Sequence, residues 1–156
     1  GFGCCEDSFK DTFKENAAAA LAEKYNGDQS LADKVSKKAW VYMKRAHLHS
    51  QTMGVISIVF SLVAAGLTFT PKLQMGISIL SGFGSLGYGF FWLIAGFLAP
   101  RMGSTGAAKE AIGLLAQVSA ASFYIAALAL FCALAFKVFR QKPTDAENQR
   151  ILKINH

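Results

Sequence analysis

The sequence predicts an all-α membrane bundle, and three observations carry that prediction. Apolar residues make up 53% of its 156 positions and charged residues only 17%, too apolar a balance for an ordinary water-soluble domain. The charges gather at the ends. Residues 1–50 hold eight Lys/Arg and seven Asp/Glu, residues 137–156 hold five and two, and only Lys72, Arg101, Lys109 and Glu110 lie between. Three charge-free runs, set apart by Pro- and Gly-containing turns, fill that interval at lengths suited to about 30 Å of hydrocarbon.

Residues 8–25 read as an amphipathic helix. Asp7 or Ser8 can cap it, the alanines at 17–20 favour it, and Phe9, Phe13, Ala17, Ala20 and Leu21 form one apolar stripe. Asn26-Gly27 ends it. The stripe is expected to pack on the next helix or lie along the bilayer surface. Asp28 or Ser30 starts a second helix, whose stripe runs through Leu31, Val35, Ala39, Tyr42, Ala46, His49 and Met53. Nothing interrupts it before about Phe69, apart from a potential bend at Gly54.

The first span occupies the end of that helix. Its charge-free stretch 53–69 covers only ~25 Å, so residues 48–52 are needed to complete a span at 48–70. That brings His47 and His49 to the membrane mouth. Thr70-Pro71-Lys72 is a turn, 73–99 the second span, 100–106 a polar loop, and 111–136 the third span, ended by Lys137 and Arg140. The expected layout is a polar segment at 1–47, a bundle at 48–140 and a polar tail at 141–156.

The net charge of +6 lies in the segments flanking the spans, which suits a basic rim against anionic lipid and implies no nucleic-acid partner. Lys/Arg near the spans split six against five. The first residue is Gly1 rather than Met, which suggests a trimmed or incomplete N-terminus. On that basis we expect an outside N-terminus in a bacterial inner membrane, with lipidation at Cys4 as a further reading. Cys132 reads as a small packing residue inside an apolar run.

Gly82, Gly84 and Gly87 spell G-x-G-x-x-G, but in the middle of an apolar run with no preceding strand, so they are not a nucleotide loop. Six glycines mark the second span: Gly76, Gly82, Gly84, Gly87, Gly89 and Gly96. Such residues let a helix, or a flat cofactor, approach the backbone closely. His47 and His49 stand two residues apart, about 200° around a helix, so they do not chelate one metal together. His47 shares its face with Trp40, Met43, Gln51 and Gly54. A macrocycle ligated by His47 could lie over Gly54 with Ser57 or Ile58 at its edge, whereas Met53 crowds His49. Either histidine could instead be a plain interfacial group. The spans hold no carboxylate for acid–base chemistry.

Trp40, Arg45-Ala46-His47, Gly54, Lys72, Gly87-Tyr88-Gly89-Phe90-Phe91 and Pro100-Arg101-Met102-Gly103 follow one another in an order that resembles the styrene oxide isomerase family. The resemblance covers about residues 40–136. It implies a four-span bundle holding haem b, with the R-A-H histidine, here His47, as iron ligand. Residues 1–39 are too polar to supply the family's first span, which would then be missing. Met53 stands where the family has an asparagine, an acidic position falls within 81–85 without a carboxylate, and Tyr88 is offset by one position from the family's tyrosine. Haem binding therefore carries over better than epoxide isomerisation.

The expectation is an integral membrane haem-b protein, a small redox or accessory subunit, with His47 as axial ligand. Gly54, Tyr88 and His49 complete the candidate site. A haem-dependent epoxide isomerase and a haem-free structural subunit are the alternatives. Lipid and either other membrane subunits or further copies of the chain are the expected partners.

Overall fold

The computed structural model describes residues 6–67 and 69–140 of the chain. Its elements are all helical: α1 Glu6–Ala19, α2 Leu21–Lys24, α3 Gln29–Gly66, α4 Pro71–Met102, α5 Thr105–Ala111 and α6 Gly113–Arg140. Three of them, α3, α4 and α6, are long and apolar enough to span a membrane; the expected span 73–99 falls inside α4, while those at 48–70 and 111–136 overrun the end of α3 at Gly66 and the start of α6 at Gly113. The chain is an all-α membrane protein in contact with lipid. Cys4 and the tail 141–156 lie outside the described residues.

The N-terminal helix differs from its expected form. It begins by Glu6, so Asp7 and Ser8 stand in its first turn, where acidic groups suit the helix dipole. It breaks at Ala20 despite the alanine run, and the short α2 turns Tyr25 inward. Tyr25 is 1% exposed, and its hydroxyl donates to the Pro100 carbonyl at 2.7 Å. Tertiary docking overrides helix propensity here. Asn26 and Gly27 then reverse the chain through left-handed backbone, with φ of 51° and 78°. The Asp28 carboxylate caps α3 by accepting from the Leu31 N–H at 3.0 Å.

The α3 helix runs unbroken through Gly54. Pro71 does not sit in a turn; it is the first residue of α4, a position where its missing N–H costs nothing. At the other end α4 continues through Pro100 to Met102, and Gly103 (φ 68°) stops it. The loop expected at 100–106 is therefore short. Ser104 caps α5, its Oγ accepting from the N–H groups of Gly106 and Ala107.

The central element is α4, packed along both α3 and α6, while α3 and α6 barely meet. Its glycines make the contacts. A Cβ on Gly84 would come 2.6 Å from the Ser119 carbonyl oxygen and 2.7 Å from Phe123; one on Gly96 would come 3.3 Å from the Ala39 oxygen. Against α3 there is also a hydrogen bond, Ser57 Oγ donating to the Ser81 carbonyl at 2.9 Å. Cys132 is exposed on α6 rather than packed, because the face of α6 that meets α4 is elsewhere.

The charges define two levels. Lys44, Arg45, Lys109 and Glu110 mark one; Lys72, Lys137 and Arg140 mark the other. About 33 Å of α3 separates Arg45 from Leu67, close to the ~30 Å of a hydrocarbon core. Because Gly96 meets Ala39 and Met43, the last turns of α4 rise beyond the level of Arg45. There α1 covers them. Phe97 meets Phe9 and Phe13 edge-on, with ring centres 6.1 and 5.5 Å apart, and Arg101 Nε donates to Asn16 Oδ1 at 3.1 Å. The polar segment thus packs on α3 and α4, with Phe13, Ala17 and Tyr25 buried in one core with Val35, Met43 and Ala99.

Candidate functional site

At the Arg45 level the turn of α3 from 45 to 50 offers two faces. His49 is half-buried and turns inward. Its ring lies at 15° to that of Trp92 with centres 6.1 Å apart, and meets Tyr88 edge-on at 5.2 Å. Trp92 also meets Tyr42 and Phe91 edge-on, at 5.0 and 5.1 Å. The Arg45 guanidinium lies over this cluster, 4.9 Å from Trp92 and 5.8 Å from Tyr42. Cation–π pairing lets the charge sit against apolar rings at the membrane mouth. Beyond His49 a cleft of about 290 Å³ is walled by Met53, Tyr88 and, from α6, Ala120, Phe123 and Tyr124.

His47 faces the other way and is exposed. Its cleft, about 240 Å³, is formed by α3 and α4 alone: Ala46, His47 and Ser50 from one, Leu86, Gly89, Phe90 and Leu93 from the other. Gly89 lets the two backbones close up there, since a Cβ would come 2.0 Å from Ser50 Oγ.

The four expected site residues therefore fall into three places. His49 and Tyr88 come together on the inner face. Of the four, only His47 lies on the outer face. Gly54 turns to α4, where the nearest atom to a Cβ would be Ser85 Oγ at 3.8 Å, and it does not line the His47 cleft. Ser57 is likewise occupied by its bond to Ser81. Residue-counting along α3 finds which side chains share a face, but not which of those faces the neighbouring helix takes.

Ser50 and Trp92 were not singled out from the sequence, and Gly89 stands there only as one of six glycines and within the Gly87–Phe91 motif. A tryptophan near the charged end of an apolar run is a boundary marker and could have flagged Trp92. Among the described residues no three His, Cys, Asp or Glu side chains gather to hold a metal ion. A porphyrin brings four of its own nitrogens and asks the protein for as little as one imidazole, so a single histidine on an open flank fits it. On the inner face the rings of Trp92 and Tyr88 already lie against His49, so the outer face fits a flat ligand better. Comparisons with family models, curated proteins and solved structures gave no match for this chain.

Proposed function

We propose that this is an integral membrane protein that binds haem b, with His47 as axial ligand. The observation that carries the reading is the outward imidazole of His47 beside a cleft with backbone at Gly89 and apolar walls at Leu86, Phe90 and Leu93. The order of residues around Arg45-Ala46-His47 that resembles styrene oxide isomerases supports it. His47 would hold the iron, while Phe90 and Leu93 would exclude water from one face of the ring. The bound group would supply one-electron or Lewis-acid chemistry. A cleft of about 240 Å³ forms only one wall for such a ligand, so a second copy of the chain or another membrane subunit closes the open side. Among the described residues, Ser50 is the only polar side chain lining the cleft besides His47. That favours a redox or accessory role over epoxide isomerisation, which needs a group to position the oxygen.

The test is a pyridine haemochrome spectrum of the purified full-length protein, followed by His47→Ala and His49→Ala. A Soret band that disappears with His47→Ala alone is the expected result. A colourless wild-type protein would sink the proposal. One observation favours a second reading, a haem-free structural subunit: Gly84, Gly87, Gly89 and Gly96 are all used in packing α4 against its own neighbours. That reading expects no Soret band and stable co-purification with larger partners.

A further inference from the structure

The end of the bundle away from α1 carries Lys72, Lys137 and Arg140 and, among the described residues, no acid. The opposite end is different. Its lysines are partly paired there, Lys10 with Glu6 at 2.5 Å and Lys14 with Asp11 at 3.7 Å.

Between the α3–α4 connection and the last turns of α6 lies a cleft of about 620 Å³. Leu73, Ala133 and Phe136 form its apolar wall; Thr70, Lys137 and Arg140 form its rim. The rim cations are held in place. The Lys137 ammonium donates to the Leu67 carbonyl and lies 6.0 Å over the Phe69 ring, and the Arg140 guanidinium lies 5.2 Å over Phe136. The N-terminus of α4, which carries the positive end of its dipole, begins at the same rim, and the Thr70 side chain makes no capping bond to it. The cleft also sits at the right depth, about 33 Å of helix from Arg45, where lipid phosphates border the hydrocarbon.

We propose that this cleft holds an anionic phospholipid, its headgroup phosphate against Arg140 and Lys137 and an acyl chain along Leu73, Ala133 and Phe136. A guanidinium matches a phosphate with paired donors, and an apolar wall directly beneath it suits a lipid rather than a free ion. The inference goes beyond the haem reading and does not depend on it.

The full-length protein is reconstituted in equal parts phosphatidylglycerol and phosphatidylcholine, re-extracted in mild detergent, and its retained lipids are quantified. The expected result is enrichment of phosphatidylglycerol, falling about fivefold for each cation removed in Lys137→Gln and Arg140→Gln. Lys10→Gln with Lys14→Gln leaves the enrichment in place. Leu73→Trp, which fills the wall and keeps both charges, lowers retention as well, and decides the question if the charge variants lose their helical circular dichroism. Equal retention of both lipids by the wild type would overturn the proposal. So would enrichment that survives both charge changes in folded protein, or that persists in Leu73→Trp. Displacement of the lipid by millimolar inorganic phosphate alone would overturn it too, since it would mark a site for a free ion.

Discussion

The two faces of α3 at the membrane mouth are built on different terms. The inner face, around His49, is closed by three helices and filled with rings: Tyr88 and Trp92 from α4, Phe123 and Tyr124 from α6. The outer face, around His47, is closed by two helices and lined by Gly89, Leu86 and Phe90. Two residues of separation along a helix give one imidazole a set of aromatic neighbours and the other an open flank. Proximity in sequence is therefore a poor guide to shared chemistry here, and the faces should respond independently to change.

The largest expected effect tests that independence directly. In the proposed haem protein, His47→Ala should lower haem per protein at least tenfold, whereas His49→Ala should keep most of it, both read from the Soret band. Next comes Leu86→Trp. It fills the outer cleft from a wall residue that does not touch the close approach at Gly89 and should reduce haem content several-fold, while Tyr88→Phe on the inner face should leave it unchanged. Comparable losses from both would mean that the faces act as one site.

Gly84→Ala probes the inner face from behind. Its new Cβ would fall 2.7 Å from the Phe123 backbone, which cannot swing aside as a side-chain tip can. The α6 wall must shift, at a cost of about 1–3 kcal/mol in thermal or denaturant stability. Haem content should hold, because no α6 residue lines the outer cleft. The smallest effect at neutral pH is expected for Tyr25→Phe, which removes the bond to the Pro100 carbonyl and costs about 0.5–1.5 kcal/mol, localised to the N-terminal helices. Limited proteolysis of that segment reads it. Burial also raises the Tyr25 pKa above its ordinary value. A group whose folded pKa is raised contributes fully below its unfolded pKa, here about 10, and loses that contribution as pH rises further. Wild-type protein should thus become protease-sensitive at its N-terminal end above about pH 10, and Tyr25→Phe should flatten that dependence.

Much of the architecture was legible before any coordinates. Charge-free runs mark the three spans, Asn26-Gly27 marks the end of the first helical segment, and of the two residues expected to start the second helix, Asp28 and Ser30, it is Asp28 that caps α3. The misses have local causes. Proline was read as a breaker at both 71 and 100, yet one position lacks nothing by having no N–H and the other sits in a last turn whose carbonyl Tyr25 occupies. The alanine run argued for an unbroken first helix, but the docking of Tyr25 against α4 is invisible in local sequence. Of the candidate site, periodicity separated His47 from His49 correctly. It could not foresee that Gly54 and Ser57 would be taken up by Ser85 and Ser81 of α4.

The overhang of α4 has a consequence for the order of assembly. Phe13 and Tyr25 are made before the surface they bury against, Phe97 to Pro100, which is synthesised some 75 residues later. The helices that carry them are thus among the last to settle. Until the second span has threaded through, their greasy side stays in water, where a ribosome-bound intermediate would offer it to chaperones and proteases.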